Sequence, residues 1–405
     1  MLTPALAVLV LQVAAPLARD VDPARHVLVL VNEAVPESVA LGEAYRRARG
    51  VPADNVCRVR TTADEVIAWP AFQAEVLAPV RAFLARHPDA VYLVPTWGVP
   101  VKVAEHVKDD LPPDADPMRR HVTSVDAAAV DRELELARGD LPARPGWVES
   151  RTWRLERPVT ADDGVLVVMR LDGPTPEQAR ALIDLALHGE LYGVEGAHLL
   201  DTRGLMGAGD GYATYDAELR QVAGVFARHG LPLRHDDQGP VVDLSTIEGG
   251  PGHYWGWYTG TLEAAAPFRF APGAVACHVH SFSADTIRHP GRNWVGPLLD
   301  RGATVAIGTV YEPLTAGFPT APLFWERLLA GHTVGQALQL SNRFTSWMAV
   351  YVGDPLYAPY AAQARAAQAE HRPLVTGAAA RLEALLDQGD LDQAAALVAR
   401  LDALP

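Results

Sequence analysis

The chain has 405 residues, a mass of 43.5 kDa and a formal charge of −14 at pH 7. Of its residues 49% are apolar and 21% are charged, which is the composition of a folded globular protein. The acidic balance argues against broad contact with nucleic acid or anionic membranes, because no net positive field gathers phosphates. With only Cys57 and Cys277 present, a disulfide-rich scaffold and a cysteine-based metal cluster are excluded.

The N-terminal segment predicts export. Residues 1–18 are apolar and uncharged, match the length of a secretory apolar region, and end in small residues such as Ala15 and Ala18. A buried first strand or helix is the alternative, but Pro16 argues against a long regular element. We predict a signal peptide over residues 1–20, a periplasmic or extracellular protein, and no integral membrane domain.

The first hundred residues alternate between short β-branched runs and amphipathic stretches. We predict strands at 27–32, 56–59 and 90–96, with helices after Ser38 and over 72–87. This alternation is typical of βαβ units in a mainly parallel sheet.

The alternation breaks at residues 103–160, which we predict to be an insertion at the carboxyl edge of the sheet, and then resumes. Further strands are predicted at 164–170, 196–200, 273–280 and 302–310, with helices at 175–188, 215–229, 323–330 and 334–340. Residues 361–405 are predicted to form a helical C-terminal extension. The expected organisation is an α/β domain over 21–360, with a mainly parallel sheet flanked by helices.

Residues 249–260 contain five glycines and a proline together with several aromatic residues. This composition predicts tight turns that present Trp255, Trp257 and Tyr258 for stacking on a substrate. The alternative is a glycine-rich loop whose aromatic side chains are tucked into the core.

Two nucleophile candidates lie in the segment that follows. At a period of two, Cys277 and Ser281 share one face of a predicted strand, and each can serve as a nucleophile with a histidine such as His253 or His280 as the base. The alternative is that these residues are hydrogen-bonded beneath a loop.

A second hypothesis for the same strand is a metal site. His278 and His280 share the other face, and a His-x-His pair can bind a divalent metal with His253 or Glu312 as a third ligand. The pair is weak evidence, and we predict no resident metal.

Three carboxylates follow predicted strands or neighbour their ends. Glu312 can orient a histidine or accept a proton, although Pro313 favours a plain turn. Asp172 and Asp210 can face one crevice and bind substrate. No glycine-rich nucleotide loop follows the first strand, so we predict no cofactor.

The motifs together resemble a family of uncharacterised, usually exported bacterial proteins. The resemblance spans about residues 26–360 and rests on short motifs in a fixed order. They are Val31-Asn32-Glu33, Arg49-Gly50-Val51-Pro52, Thr96-Trp97-Gly98-Val99-Pro100, Arg170-Leu171-Asp172-Gly173-Pro174, Ser281-Phe282-Ser283-Ala284, Gly308-Thr309-Val310-Tyr311-Glu312-Pro313 and Gly353-Asp354-Pro355-Leu356-Tyr357. This family carries no stated activity.

The chain is also remotely similar to the gingipain and caspase-like cysteine peptidases. Ala276-Cys277 stands where that clan has its nucleophile motif, and residues 302–308 and 353–355 match later motifs. The departure is that Trp257 or Tyr258 replaces the catalytic histidine, and neither is a base near neutral pH.

The resemblance implies a caspase/gingipain-like fold and an exported, peptidase-like hydrolase if the site is active. One alternative is a non-catalytic pseudo-enzyme that binds a peptide or glycan through the aromatic, glycine-rich loop. A second alternative is a metal-dependent enzyme that uses the His-x-His pair.

Overall fold

The computed structural model describes residues 21–104, 106–107, 125–139, 146–207, 210–366, 391 and 393–395. The predicted signal peptide lies outside these residues, as do much of the predicted insertion and most of the predicted helical extension. Residues 361–366 of that extension are helical. None of the described helices is long and apolar enough to cross a bilayer.

The strands are numbered in chain order. They are β1 Val27–Asn32, β2 Val56–Val59, β3 Val66–Ile67, β4 Tyr92–Pro95, β5 Lys102–Val103, β6 His106–Val107, β7 Val125–Asp126, β8 Val167–Val168, β9 Ala197–Thr202, β10 Arg234–Asp237, β11 Pro251–Trp257, β12 Val275–Val279, β13 Val305–Thr309 and β14 Ala349–Val352.

The helices pack on both faces of these strands. They are α1 Pro23–His26, α2 Pro36–Arg49, α3 Trp69–Ala71, α4 Ala78–Leu84, α5 Val130–Glu135, α6 Pro176–Tyr192, α7 Gly211–Arg228, α8 Val295–Asp300, α9 Ala321–Leu329 and α10 Val334–Ser341. A π-helical segment, Phe72–Leu77, joins α3 to α4. As the sequence predicts, Thr175 caps α6 by accepting a hydrogen bond from the amide of Gln178.

Two sheets organise the chain. The smaller sheet has the order β2-β1-β4-β8 and is parallel throughout. The larger sheet has the order β10-β9-β11-β12-β13-β14, and only β14 runs antiparallel to its neighbour. A parallel bridge between Arg170 and Val352 of β14 joins the two sheets. Within the larger sheet, the carboxyl ends of β9, β10, β11, β12 and β13 lie along one edge, because these strands are parallel.

Burial explains why the sheets are parallel. Every residue of β1, β4, β12 and β13 is buried, and their sequences are continuous apolar runs, as expected for strands covered by helices on both faces. The predicted α/β class with a mainly parallel sheet flanked by helices is confirmed.

The glycine-rich segment differs from its prediction as tight turns, because residues 251–257 form the buried strand β11. A side chain at Gly256 would collide with the hydroxyl of Tyr254, and one at Gly252 would lie 2.7 Å from the carbonyl oxygen of Glu195. These glycines therefore make room for neighbouring groups within a strand.

Part of the predicted insertion is also core. Residues 127–137 are buried, and α5 carries charged side chains into the interior beside β8 and β14. Asp131 of α5 is neutralised there by Arg170, at 2.8 and 2.9 Å. The other charged residues of α5 also have partners inside the molecule, since Arg132 pairs with Glu135 and Glu133 accepts a hydrogen bond from Ser346 Oγ.

Candidate functional site

Strained turns concentrate at the carboxyl edge of the larger sheet. Among non-glycine residues, Tyr258 after β11 has φ 104°, Phe282 after β12 has φ 59°, and Leu314 beyond β13 has φ 56°. Asn293, with φ 56°, bonds through its side chain to the carbonyl of Phe282. A left-handed backbone at non-glycine residues is costly and occurs preferentially at functional sites. We call this edge, from Arg203 to Leu314 across β9, β11, β12 and β13, the carboxyl-edge site.

A serine and a carboxylate meet at this site. Ser281 donates a hydrogen bond from Oγ to Oε2 of Glu312, and both residues are half-buried. The other oxygen, Oε1, accepts the backbone N–H of Leu314 at 2.9 Å. The strained turn at Leu314 therefore orients the carboxylate, which in turn holds the serine hydroxyl.

His280 lies next to this pair in the chain. Its Nδ1 is 2.6 Å from the carbonyl oxygen of Ser281, and because a carbonyl only accepts, Nδ1 carries the proton. In the neutral ring Nε2 is then the unprotonated nitrogen. A methyl group at Gly260 would lie 3.5 Å from Cε1 of His280, so the Gly260 backbone borders the imidazole.

Two side chains, His278 and Trp294, hold the turn after β11, and we call them the clamp. Thr259 donates its backbone N–H to Nε2 of His278 at 3.2 Å, and its carbonyl accepts from Nε1 of Trp294 at 2.6 Å. The rings of His278 and Trp294 stack with centroids 3.5 Å apart and planes within 4°. The clamp fixes the peptide that directly follows Tyr258.

A hydrogen-bond chain leads from the clamp into the core. Because Nε2 of His278 accepts from Thr259, its Nδ1 is the protonated nitrogen and donates to Oη of Tyr254 at 2.7 Å. Tyr254 in turn donates towards Oδ2 of Asp201 at 3.5 Å. Burial holds the pKa of His278 well below its usual value and raises the pKa of Asp201 to about 6.

Cys277 does not reach the carboxyl-edge site. It lies in the middle of β12 opposite Trp255, and its side chain is fully buried in an apolar cluster. Burial raises the pKa of its thiol well above the usual value, so the nucleophilic thiolate is suppressed. This position argues against the predicted role of Cys277 as an accessible nucleophile.

His253 is likewise placed away from the site, near the start of β11. Its Nδ1 accepts the N–H of Val275 at 2.9 Å, its Nε2 lies 2.7 Å from Oη of Tyr360, and its ring stacks on His198. Both nitrogens are engaged, and burial lowers the pKa of His253 well below its usual value. The structure brings together Ser281, His280 and Glu312 of the predicted catalytic set and separates them from Cys277 and His253.

The His-x-His pair is not arranged as a metal site. Both ring nitrogens of His278 are used by Tyr254 and Thr259, and the ring is covered by Trp294. Within the part of the chain that the structure describes, no cluster of three or more His, Cys, Asp or Glu residues is suited to hold a metal ion.

The predicted stacking residues divide into core and surface. Trp255 and Trp257 are 1% and 2% exposed, and Nε1 of Trp257 donates to Asp216 at 2.8 Å, so both are core residues and the prediction of exposure is wrong for them. Tyr258 is 43% exposed. The guanidinium of Arg203 lies over the Tyr258 ring, 3.7 Å from its centroid.

The two predicted binding aspartates have structural partners. Asp172 is fully buried and forms ion pairs with Arg170 at 2.8 Å and Arg288 at 3.1 Å. Asp210 is exposed and caps α7 through the amide of Tyr212 at 2.9 Å. These contacts account for both carboxylates and do not join them in one crevice.

Sequence reasoning missed Arg203 and the clamp on Thr259. A usable signal exists for Arg203, since Asp201, Thr202 and Arg203 follow directly after an apolar strand. No local pattern indicates that Trp294 stacks on His278, because the two residues are brought together only by the entry into α8.

The chain matches no known family profile and no curated protein. Solved structures to which it is similar include one titled "Structure of Protease", with TM-score 0.42 and 11% identity, covering 84% of this chain and 79% of that one. Another is the complex of Porphyromonas gingivalis RgpB pro- and mature domains, with TM-score 0.40 and 11% identity, covering 82% of this chain and 79% of that one. Membership of the exported family stays a prediction.

Proposed function

We propose that the protein is an exported, peptidase-like hydrolase that uses Ser281 as its nucleophile and Glu312 as the base. The observation that carries the proposal is the hydrogen bond from Ser281 Oγ to Glu312 at the edge where three strands end in strained turns. A nucleophile bonded to a base that is itself oriented by a third group is the arrangement that covalent catalysis requires.

The chemistry balances within these groups. Ser281 Oγ forms a bond to the substrate carbonyl carbon while Glu312 takes the hydroxyl proton and passes it to the amine that leaves as the C–N bond breaks. Water then attacks the acyl-serine ester, its hydroxyl joins the acyl group, and its proton returns through Glu312 to the serine oxygen. Nε2 of His280 is a second base at the same edge for activating that water.

The peptide substrate class and the export come from the sequence. The motif order resembles the gingipain and caspase-like peptidases, and residues 1–18 have the pattern of a secretory signal. The proposal relocates the nucleophile from Cys277 to Ser281, because of the two only Ser281 combines partial exposure with a hydrogen-bonded carboxylate.

The test is labelling of the full chain with a fluorophosphonate probe, together with hydrolysis of a peptide library followed by mass spectrometry. We expect Ser281→Ala to lose labelling and to lower hydrolysis by at least about a hundredfold, because the nucleophile is removed. Cys277→Ala is expected to retain both.

Ser245→Ala is the matched control. Ser245 also donates from Oγ to a carboxylate, that of Asp243 at 2.6 Å, but it precedes β11 and its Oγ accepts from the backbone of Ala266, not from a residue that follows β11, β12 or β13 directly. It should keep labelling and hydrolysis within about twofold of the wild type, as expected of a substitution outside catalysis. Labelling that survives Ser281→Ala, or is lost in Cys277→Ala, contradicts the proposal.

A second candidate is a non-catalytic peptide-binding or glycan-binding protein. It is favoured by the exposed ring of Tyr258, which forms a flat surface with Arg203 at the same edge. Peptide binding with no turnover by the wild type, unchanged in Ser281→Ala, would support this candidate over the hydrolase.

A further inference from the structure

Arg203 is a charged group without a partner at the carboxyl-edge site. It follows β9, it is half-buried, and among the described residues its guanidinium has no hydrogen-bond or ion-pair partner. Its contacts are the faces of Tyr258 at 3.7 Å and Trp257 at 5.6 Å. A guanidinium has five N–H donors and no acceptor, so all five are available.

The backbone around Arg203 is held firmly. Asp216 of α7 accepts the N–H of Arg203 at 2.9 Å and that of Leu205 at 2.8 Å. The charge of Asp216 is taken up by Arg220 at 2.7 Å. Asp216 therefore positions the backbone of residues 203–205, and it does not neutralise the positive charge of the Arg203 side chain.

Strand register places Arg203 in one row with Tyr258 and His280 across the ends of three neighbouring strands. Gly256 pairs with Asp201 and Trp257 pairs with Val279, so continuing the register sets Tyr258 between Arg203 and His280. Neighbouring strands are about 4.8 Å apart, so Arg203 lies about 10 Å from His280 across two strands. An extended peptide covers that distance in about three residues.

We propose that Arg203, backed by Tyr258, binds the carboxylate of an acidic side chain in a peptide whose scissile bond lies at Ser281. The planar guanidinium fits a carboxylate bidentately, and stacking on Tyr258 holds the plane in place. This inference rests on the proposed function only in taking the carboxyl-edge site as the place where peptide lies.

The experiment measures binding without turnover. Ser281→Ala protein is titrated by calorimetry with the peptide Ac-Ala-Ala-Glu-Ala-Ala-NH2 and with its Gln counterpart. We expect the Glu peptide to bind about tenfold or more tightly, as a charge-assisted hydrogen bond supplies, and the preference to shrink as NaCl is raised. Equal affinity for the two peptides, or no binding of either, overturns the inference.

Two further variants assign the preference. In the Ser281→Ala background, Arg203→Gln should remove the preference, whereas Arg234→Gln should keep it, because Arg234 is an exposed arginine on the edge strand β10. If Arg203→Gln fails to fold, Arg203→Lys replaces it and should weaken binding of the Glu peptide while keeping the sign of the preference. A preference that survives Arg203→Gln overturns the inference.

The two proposals fail separately. A Glu preference in a protein that hydrolyses nothing leaves the binding site standing without the enzyme. Hydrolysis that depends on Ser281 with no Glu preference leaves the enzyme standing without this specificity.

Discussion

Arg170 and Arg203 both follow strands of parallel pairs, yet their surroundings are opposite. Arg170 follows β8, is fully buried, and is held by both carboxylate oxygens of Asp131 and by Asp172. It also donates to the carbonyls of Val99 and Pro100. Arg203 follows β9, is half-exposed, and rests on aromatic rings with its donors unused among the described residues.

The difference extends to their neighbourhoods. Around Arg170 the two halves of the molecule are tied by ionic links, with Arg288 on Asp172 and Lys102 on Asp285 at 2.5 Å. Around Arg203 the neighbouring strand ends carry half-exposed His280, Ser281 and Glu312. A charged residue that follows a strand is therefore weak evidence for a functional site by itself. Whether its charge is already paired inside the protein helps to distinguish a structural residue from a functional one.

The largest effect is expected where the charges are paired. Arg170→Met leaves Asp131 buried without its Arg170 partner and Asp172 with Arg288 alone, which costs about 3 to 5 kcal/mol of unfolding free energy. Urea denaturation followed by circular dichroism measures the loss.

Arg25→Gln is the control for that measurement. Arg25 pairs with Asp89 at 3.0 Å, but the two side chains are 62% and 55% exposed, so the pair contributes little. A loss in Arg170→Met as small as that in Arg25→Gln would show that the buried cluster is not what joins the two sheets.

A smaller effect is expected at Asp201, where the hydrogen-bond chain from His278 through Tyr254 ends. The pKa of Asp201 is raised to about 6 in the folded protein, against about 3.9 in an unfolded chain. The folded state therefore holds this proton more tightly, so its contribution to stability is present below about pH 4 and is lost as the pH rises through about 6. Asp201→Asn should remove that loss, on the order of 1 to 3 kcal/mol, from urea unfolding measured between pH 4 and pH 7.

Asp210→Asn is the matched control for the pH series. Asp210 is an exposed N-cap, and asparagine caps equally well, so this variant should follow the wild-type profile. Identical pH profiles for wild type and Asp201→Asn would mean that burial does not raise the pKa of Asp201 above its value in the unfolded chain.

Local patterns predicted much of the fold because they carry its physics. Buried β-branched runs such as 27–32 and capped amphipathic stretches such as 175–188 need no tertiary information, and both elements form as expected. The strand β11 was not predicted, because glycines at 252 and 256 look like turn residues until the groups that fill their space are known. The burial of α5 is hidden from the local sequence for the same reason, since Arg170, the partner of Asp131, lies just beyond β8.

The residues of the candidate site likewise divide into those that the local sequence indicates and those that depend on distant residues. Ser281 and His280 were predicted from their places on the faces of one strand and Glu312 from its place after the next, and strand ends converge in parallel sheets. Cys277 lies inside β12, as the predicted strand over 273–280 already implied, and the sequence did not indicate that its side chain is sealed in an apolar cluster. Whether a side chain is paired or covered, as with Arg203 and His278, depends on residues distant in sequence.

The smallest effect on stability is expected at Arg203, because this arginine, unlike Arg170, is not held by carboxylates among the described residues. Arg203→Gln removes a half-exposed cation–π contact and, among the residues that the structure describes, no ion pair, so its unfolding free energy should fall by no more than about 1 kcal/mol. Urea unfolding of Arg203→Gln beside Arg170→Met tests this directly. A loss approaching that of Arg170→Met would make Arg203 a structural residue, whereas a small loss together with loss of the Glu preference assigns it to recognition. If Arg203 serves to bind a ligand, Arg203→Gln should keep its stability, because no described residue relies on the guanidinium for a hydrogen bond or ion pair.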